Sequence, residues 1–245
     1  MRRSGAKMLL VADEGRLDVI AAGRTPTWTQ LSAVAARGAT QITLLTDVNW
    51  RVGDEVVVAS SDYGTKDHAA NERRRITAIA GRTLTLDRPL TYWHYGAASE
   101  TVRHGMPIDV RAEVGVLASN VMFEGDMSAQ SASSPSETPW YTPEQLRYGG
   151  HLIQVDRSFV RINGIAVRHF GQAGRLGRYA MHVHFVGEYG AHQYWTNNMV
   201  FDSFSRCMVI HATSHFRAQG NVCYNVNGHA IYMEIGTEQN CEVRE

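Results

Sequence analysis

His182 and His184 stand two residues apart, His211 follows His184 by 27 residues, and Glu234 follows His211 by 23. Two imidazoles and a carboxylate in one place can pass protons, because an imidazole titrates near neutrality and neighbouring charges spread the pKa values. They can equally ligate a divalent cation, Ca²⁺ or Zn²⁺. The text around them repeats at the same offsets: Met181-His-Val-His184, Met208-Val-Ile-His211 and Ile231-Tyr-Met-Glu234 align. Alternate side chains of a strand face opposite ways, so Met181, Val183, Met208, Ile210, Ile231 and Met233 are expected to face a core. His184, His211 and Glu234 then form one outward column with rungs about 4.8 Å apart, and His182, Val209 and Tyr232 form the column beside it. His184, His211 and Glu234 are thus candidates for catalysis and for metal ligation, and His182 and Tyr232 for substrate contact. A solvated polar stripe is the alternative that the same pattern allows.

Seven of the eleven histidines lie between His169 and His229. His215 and His229 fall near strand ends, where they either line the same groove as substrate contacts or serve only the turns. Asp202, one repeat before Asn225, is a further acidic candidate for catalysis. Upstream runs Gly171-Gln-Ala-Gly-Arg175-Leu-Gly-Arg178-Tyr, whose glycines allow tight turns and whose arginines have no acidic neighbour in the text. Forked guanidinium groups suit carboxylates, so Arg175 and Arg178 are candidate contacts to a polymer that repeats an anion, such as a uronic-acid chain, unless they only brace a turn. The run lacks the strand–loop–helix context and the Gly-Lys-Ser/Thr ending of a phosphate loop, which excludes a nucleotide reading.

Such a site needs rigid, stacked strands. Units of 23–27 residues, rich in β-branched and aromatic residues and poor in helix signals, cannot bury their own apolar faces and must stack on their neighbours. A parallel β-helix with one coil per repeat is the expected result, with Asn163, Asn198 and Asn221 stacked at a turn. Upstream, residues 40–45, 54–59, 75–79 and 83–86 alternate as short strands, separated by turn signals at Gly53-Asp54 and Ala80-Gly81-Arg82. Residues 30–37 look like one or two helical turns, and the Ser/Pro-rich stretch 126–145 reads as a surface insertion. The expected division is a β-rich segment over 1–105 followed by coils over 106–245.

The 245 residues are 44% hydrophobic and 20% charged, enough for a sizeable core, and the formal net charge is zero, so no global charge points to nucleic acid or a membrane surface. No apolar stretch approaches the roughly 20 residues of a membrane helix, and the apolar run 8–12 is shorter than a signal-peptide core. Both ends interrupt strand-like patterns, which suggests a fragment. Lys7 and Lys66 are the only lysines, so 22 of the 24 basic residues are arginines. Three cysteines, Cys207, Cys223 and Cys241, are too few for a disulfide framework, and the odd number leaves at least one without a partner in the chain.

Longer runs of text resemble the G8-domain proteins with parallel β-helix repeats, a group that includes cell-surface and secreted hyaluronan-binding proteins and hyaluronidases and the fibrocystin-like proteins. The matching runs are Arg24-Thr-Pro-Thr-Trp-Thr, Trp50-Arg-Val-Gly-Asp-Glu-Val-Val-Val-Ala59, Arg111-Ala-Glu-Val-Gly115, Gly149-Gly-His151, Gly171-Gln-Ala-Gly-Arg-Leu-Gly-Arg178, Asp202-Ser-Phe-Ser-Arg-Cys207 and Gly228-His229. The resemblance implies an all-β, right-handed parallel β-helix of the pectin-lyase type, preceded by a small β-rich segment that includes the end of a G8 module. It also implies an extracellular or cell-surface location and engagement of an acidic polysaccharide such as a glycosaminoglycan, with hydrolysis by a hyaluronidase-like activity as the associated chemistry. Polysaccharide elimination and non-catalytic adhesion are the rival expectations. The sequence departs from the family pattern at Ala180, Phe201 and Ile235, where proline, histidine and an acidic residue are usual.

Overall fold

The computed structural model describes residues 7–61, 70–97, 102–103, 105–127 and 147–244. The Ser/Pro-rich insertion expected over 126–145 lies outside them from residue 128 onward. Among the described residues the regular structure is β-strand plus one 3-10 turn, Glu188–Gly190. The chain divides into two units, one formed by Met1–Gly23 with Ser119–Glu245 and the other by Arg24–Ala118.

The first unit is a parallel β-helix. One sheet contains β1 (Met8–Val11), and a second contains β2 (Arg16–Ile20). The second unit then supplies β3 (Trp28–Gln30), β4 (Gln41–Thr43), β5 (Glu55–Val58), β6 (Glu72–Ala80), β7 (Thr83–Leu86), β8 (Val102–Arg103), β9 (Met106–Pro107) and β10 (Glu113–Val116). The chain re-enters the helix with β11 (Met122–Glu124), the first strand of a third sheet. Each later coil adds one strand to each sheet in turn: β12 (His151–Val155), β13 (Phe159–Asn163) and β14 (Ala166–Arg168), then β15 (Met181–Gly187), β16 (Tyr194–Thr196) and β17 (Met199–Ser203). The next coil is β18 (Met208–Thr213), β19 (Arg217–Gln219) and β20 (Val222–Val226), and β21 (Ile231–Met233) and β22 (Glu242–Arg244) follow. Every strand pairing in this unit is parallel.

The division expected near residue 105 is displaced. β1 and β2 are coil strands, with Met8 opposite His151 and Leu17 opposite Val160, and the Arg24–Ala118 unit is a sequence insertion between them and β11. The inner faces carry Leu152, Met181, Val183, Met208, Ile210, Trp195 and Phe216, each almost completely buried. Gln154 also points inward; its Nε2 donates to the Ser158 carbonyl at 2.8 Å and to Gln193 Oε1 at 2.6 Å, while its own Oε1 is buried without a hydrogen-bond partner.

The asparagine stack holds for two of its three members. Asn198 Nδ2 donates to Asn221 Oδ1 at 3.1 Å, and Asn221 Nδ2 donates to the Trp195 carbonyl at 2.9 Å. Asn163 is out of register: it pairs with Thr196, and its Oδ1 accepts from Thr196 Oγ1 at 2.8 Å and Asn197 Nδ2 at 3.0 Å. The place that Asn198 occupies belongs in the preceding coil to Ile165, whose N–H donates to Asn198 Oδ1. The corner there is turned by Gly164 at φ 76°.

The second unit is an antiparallel sheet in the order β3-β10-β5-β6-β7-β4, with a bridge between Leu31 and Leu44 joining its two outer strands. The strands expected over residues 40–86 are present, and the turn at Gly81 has φ 58°. The helical turns expected over 30–37 are absent: Leu31 N–H donates to the Ala112 carbonyl, and Ala35 forms a bridge with His94, so cross-strand pairing overrides the local alanine-rich preference. Glu72 is the polar hub of this unit. Its buried carboxylate accepts from the Thr91 and Tyr92 N–H groups, contacts His94 Nε2 at 3.1 Å and pairs with Arg74. Among the described residues no helix is long and apolar enough to cross a membrane.

Candidate functional site

The predicted rungs are present in register. Met181 pairs with Met208 and Met208 with Ile231, while His184 lies opposite His211 and His182 opposite Val209, which lies opposite Tyr232. Met181, Val183, Met208 and Ile210 fill the core, which leaves the alternate set on the outer face. Beyond His184 the pairing slips, and Phe185 and Ala212 adopt positive φ of 55° and 46°. This irregularity leaves Phe185 55% exposed, with its ring 4.7 Å from both His184 and His211.

The outer face is not bare at His182. Its side chain is 1% exposed, and Nδ1 lies 2.9 Å from the Gly177 carbonyl. A carbonyl only accepts, so Nδ1 carries the hydrogen and Nε2 presents a lone pair. That Nε2 is buried without a hydrogen-bond partner and lies 3.9 Å from Glu234 Oε2. His184 Nδ1 and His211 Nδ1 are 3.1 Å apart, and His211 Nδ1 is 3.3 Å from Glu234 Oε2. The other carboxylate oxygen, Oε1, accepts from the Tyr179 hydroxyl at 2.7 Å and from Arg206 Nη1 at 3.1 Å. Arg206 also lies 4.9 Å over the Tyr179 ring and 4.2 Å over the Tyr232 ring.

Burial sets the proton affinities here. Desolvation lowers the His182 pKa to about 3, against the opposing effect of the Gly177 hydrogen bond, so the ring is neutral across the physiological range. The His184 pKa is lowered first by burial and then by the neighbouring His211. Burial and the hydrogen bond to Glu234 raise Tyr179 to about 12, so its hydroxyl keeps its proton and donates. The cluster thus sets the neutral His182 ring beside a Glu234 side chain whose Oε1 is fixed by two donors. Ligand atoms of His182, His184 and His211 lie within 4.8 Å of one another.

The remaining candidates are dispersed. Tyr232 joins the cluster through Arg206, and the exposed His229 ring stacks on Tyr232 at 4.6 Å. Arg175 and Arg178 sit in the loop that covers His182, but Arg175 Nε donates to the Tyr148 hydroxyl at 2.8 Å and Arg178 Nη1 to Gln172 Oε1 at 2.6 Å. Asp202 stands on the third sheet, where Arg168 Nε at 3.2 Å and Asn225 Nδ2 at 2.7 Å hold its carboxylate, whereas Glu234 follows the last strand of the first sheet. His215 faces Glu188 Oε2 at 2.9 Å in a separate cleft with His192, Arg217 and Asn240. Sequence reasoning missed Tyr179 and Arg206, although a signal was there: the offsets of 27 and 23 residues, applied two positions upstream of the strands, align Tyr179, Arg206 and His229.

Comparison with known proteins agrees with this architecture. Residues 147–245 match the family model of the CEMIP beta-helix. A G8 domain-containing protein of Dictyostelium discoideum is 34% identical over 235 residues, which cover 96% of this chain and 18% of that protein. The chain is similar to G8 domain-containing proteins along nearly its whole length. Fibrocystin-L of Mus musculus is 30% identical over an alignment covering 96% of this chain and 6% of that protein, so the chain spans less than a fifth of either protein. Among solved structures, the tailspike protein gp49 from Pseudomonas phage LKA1 shares 12% identity over 92% of this chain and 35% of its own, at a TM-score of 0.29, a likeness too distant to build on.

Proposed function

We propose that this G8-type chain is the saccharide-engaging β-helix of a secreted or cell-surface protein, and that the cluster around His184, His211 and Glu234 depolymerises an acidic polysaccharide of the hyaluronan type. The observation that carries this reading is the convergence of three imidazoles and a doubly anchored carboxylate on the outer face of a rigid parallel sheet. His184 and His211, the less buried of the imidazoles, are the proton-transfer groups, and Tyr179 and Arg206 position Glu234 beside His211. Tyr232 with His229 offers a stacked aromatic platform for sugar rings, and Arg175 and Arg178 in the covering loop are the contacts for polymer carboxylates. Hydrolysis by two carboxylates needs them about 5–9.5 Å apart. Asp202 belongs to another sheet and is held by Arg168 and Asn225, so proton transfer is assigned to the histidines.

The Cys207–Cys223 disulfide supports an oxidising compartment, with Cys241 as the free thiol. The coil is taken to wind right-handed, as nearly all β–crossover–β connections do. A non-catalytic adhesion module is the second reading, favoured by the exposed His229 ring stacked on Tyr232, which can hold a sugar ring with no proton transfer.

The test is incubation of the chain with hyaluronan, followed by polymer length, reducing ends and ultraviolet absorbance of unsaturated ends. Shortening with new reducing ends and no added absorbance is the expected result. Shortening with absorbance identifies elimination, retention on the polymer without shortening identifies the adhesion module, and neither binding nor shortening overturns the proposal.

A further inference from the structure

We propose that His182, His184 and His211 form a binding site for a borderline transition-metal ion, Zn²⁺ being the natural occupant, with Glu234 as the adjacent carboxylate. The inference does not depend on the polysaccharide reading, and where the ion is bound it replaces one part of it: His184 and His211 would then hold the metal and would not transfer protons.

The first reason is the direction of the lone pairs. The hydrogen bond from His182 Nδ1 to the Gly177 carbonyl fixes the tautomer that leaves Nε2 as an acceptor, and this atom is buried with no hydrogen-bond partner. Metal-bound imidazoles are commonly oriented in this way, with the other ring nitrogen donating to a carbonyl. Glu234 repeats the pattern: Oε1 is occupied by Tyr179 and Arg206, while Oε2 is buried and lacks a hydrogen-bond partner. Burying two acceptors without donors is costly, and a cation between them removes that cost.

The second reason is that the one ring nitrogen His211 Nδ1 cannot satisfy both of its neighbours by hydrogen bonding. His211 Nδ1 lies 3.1 Å from His184 Nδ1 and 3.3 Å from Glu234 Oε2. If His211 Nδ1 carries its hydrogen toward Glu234, it cannot accept from His184. If it accepts from His184, it presents a lone pair to an oxygen that also holds only lone pairs. A cation lets all of these atoms act as donors of electron pairs.

The third reason is spacing. Tetrahedral zinc with Zn–N bonds near 2.0–2.1 Å places its nitrogens about 3.4 Å apart. The ligand atoms here lie within 4.8 Å of one another on adjacent strands, so small side-chain rotations close the set. Three imidazoles and one carboxylate suit zinc or a neighbouring transition metal and not Ca²⁺, which takes oxygen ligands. The cation choice left open by the sequence is thereby narrowed, and His182 joins the ligands expected from the sequence.

The test uses the whole chain, freed of metal by chelation and titrated with Zn²⁺ by calorimetry in the absence of polymer, with Co²⁺ as a spectroscopic substitute. One equivalent of Zn²⁺ is expected to bind, with an intense visible Co²⁺ band of tetrahedral type. His184→Gln and His211→Gln, at half-buried positions, should each weaken Zn²⁺ binding by tenfold or more, and Tyr179→Phe should weaken it by less. Absence of stoichiometric Zn²⁺ binding by the folded wild-type chain overturns the proposal, as does unchanged binding in both histidine variants. If a variant fails to fold, the wild-type stoichiometry and Co²⁺ spectrum decide: a weak octahedral-type spectrum contradicts the site.

Discussion

Replacing Asn198 by Ala tests the register of the coil at the corner where the sequence misled. The side chain is fully buried; Oδ1 accepts the Ile165 N–H at 3.1 Å, and Nδ2 donates to Asn221 Oδ1 at 3.1 Å and to the Ile162 carbonyl at 3.3 Å. A neutral hydrogen bond contributes about 1 kcal/mol net, and a buried N–H left without a partner costs about 1–3 kcal/mol. Asn221 Oδ1 retains the Asn198 N–H at 2.9 Å, so its loss is partial. The expected destabilisation is about 2–4 kcal/mol, or a drop in Tm of about 5–15 °C for a unit of this size. Asn163→Ala is the control: its partners Thr196 and Asn197 are half-buried and can turn to water, so the cost is about 1 kcal/mol or less. Urea unfolding and thermal circular dichroism read both variants. Equal costs, or an Asn198→Ala effect below about 0.5 kcal/mol, would refute the ladder.

Reducing the Cys207–Cys223 disulfide, which closes a loop with a sequence separation of 16, should lower stability by about 2–4 kcal/mol, measured by unfolding with and without reductant; an unchanged midpoint contradicts the bond. In the inserted unit, burial pushes the Glu72 carboxyl up, but the Thr91 and Tyr92 N–H groups, His94 and Arg74 together hold it below its ordinary value. The contribution is therefore present above the unfolded-state pKa of about 4.3 and is lost as pH falls through the lower folded value. Glu72→Gln should cost about 3–5 kcal/mol at neutral pH by stripping buried Arg74 of its partner, and should flatten the acid limb of stability against pH; an unaltered acid limb contradicts this. Gly149→Ala places a Cβ 1.9 Å from the His169 carbonyl oxygen and should cost about 1–3 kcal/mol or more in a thermal melt; a neutral effect would mean that the coils are looser than described.

Legibility from sequence followed the range of the interactions. The rungs Met181–Met208–Ile231 and His184–His211 were readable because strand alternation is local and the repeat lengths carry it from coil to coil. The coil position of Met8 was not, because its partner His151 lies beyond a whole inserted unit and a short apolar strand does not name its neighbour. Asn163 misled because Gly164 and Ile165 shift the corner, although the Asn-x-x-x pattern looks the same. Alternation placed His182 on the outer face, but the loop that buries it folds back from residue 177, a contact with no periodic signature. Residues 30–37 read as helix from composition alone, since their partners Ala112, Thr43 and His94 are distant in sequence.

The central claim is that His184, His211 and Glu234 form one working site on the outer face of the first sheet. It is tested most directly by the rate of hyaluronan shortening for His211→Ala and Glu234→Ala beside the wild-type chain, with circular dichroism confirming that each variant is folded. The wild-type chain is expected to shorten the polymer and both folded variants to lose that activity; shortening that continues at the wild-type rate in both would contradict a working site at these residues.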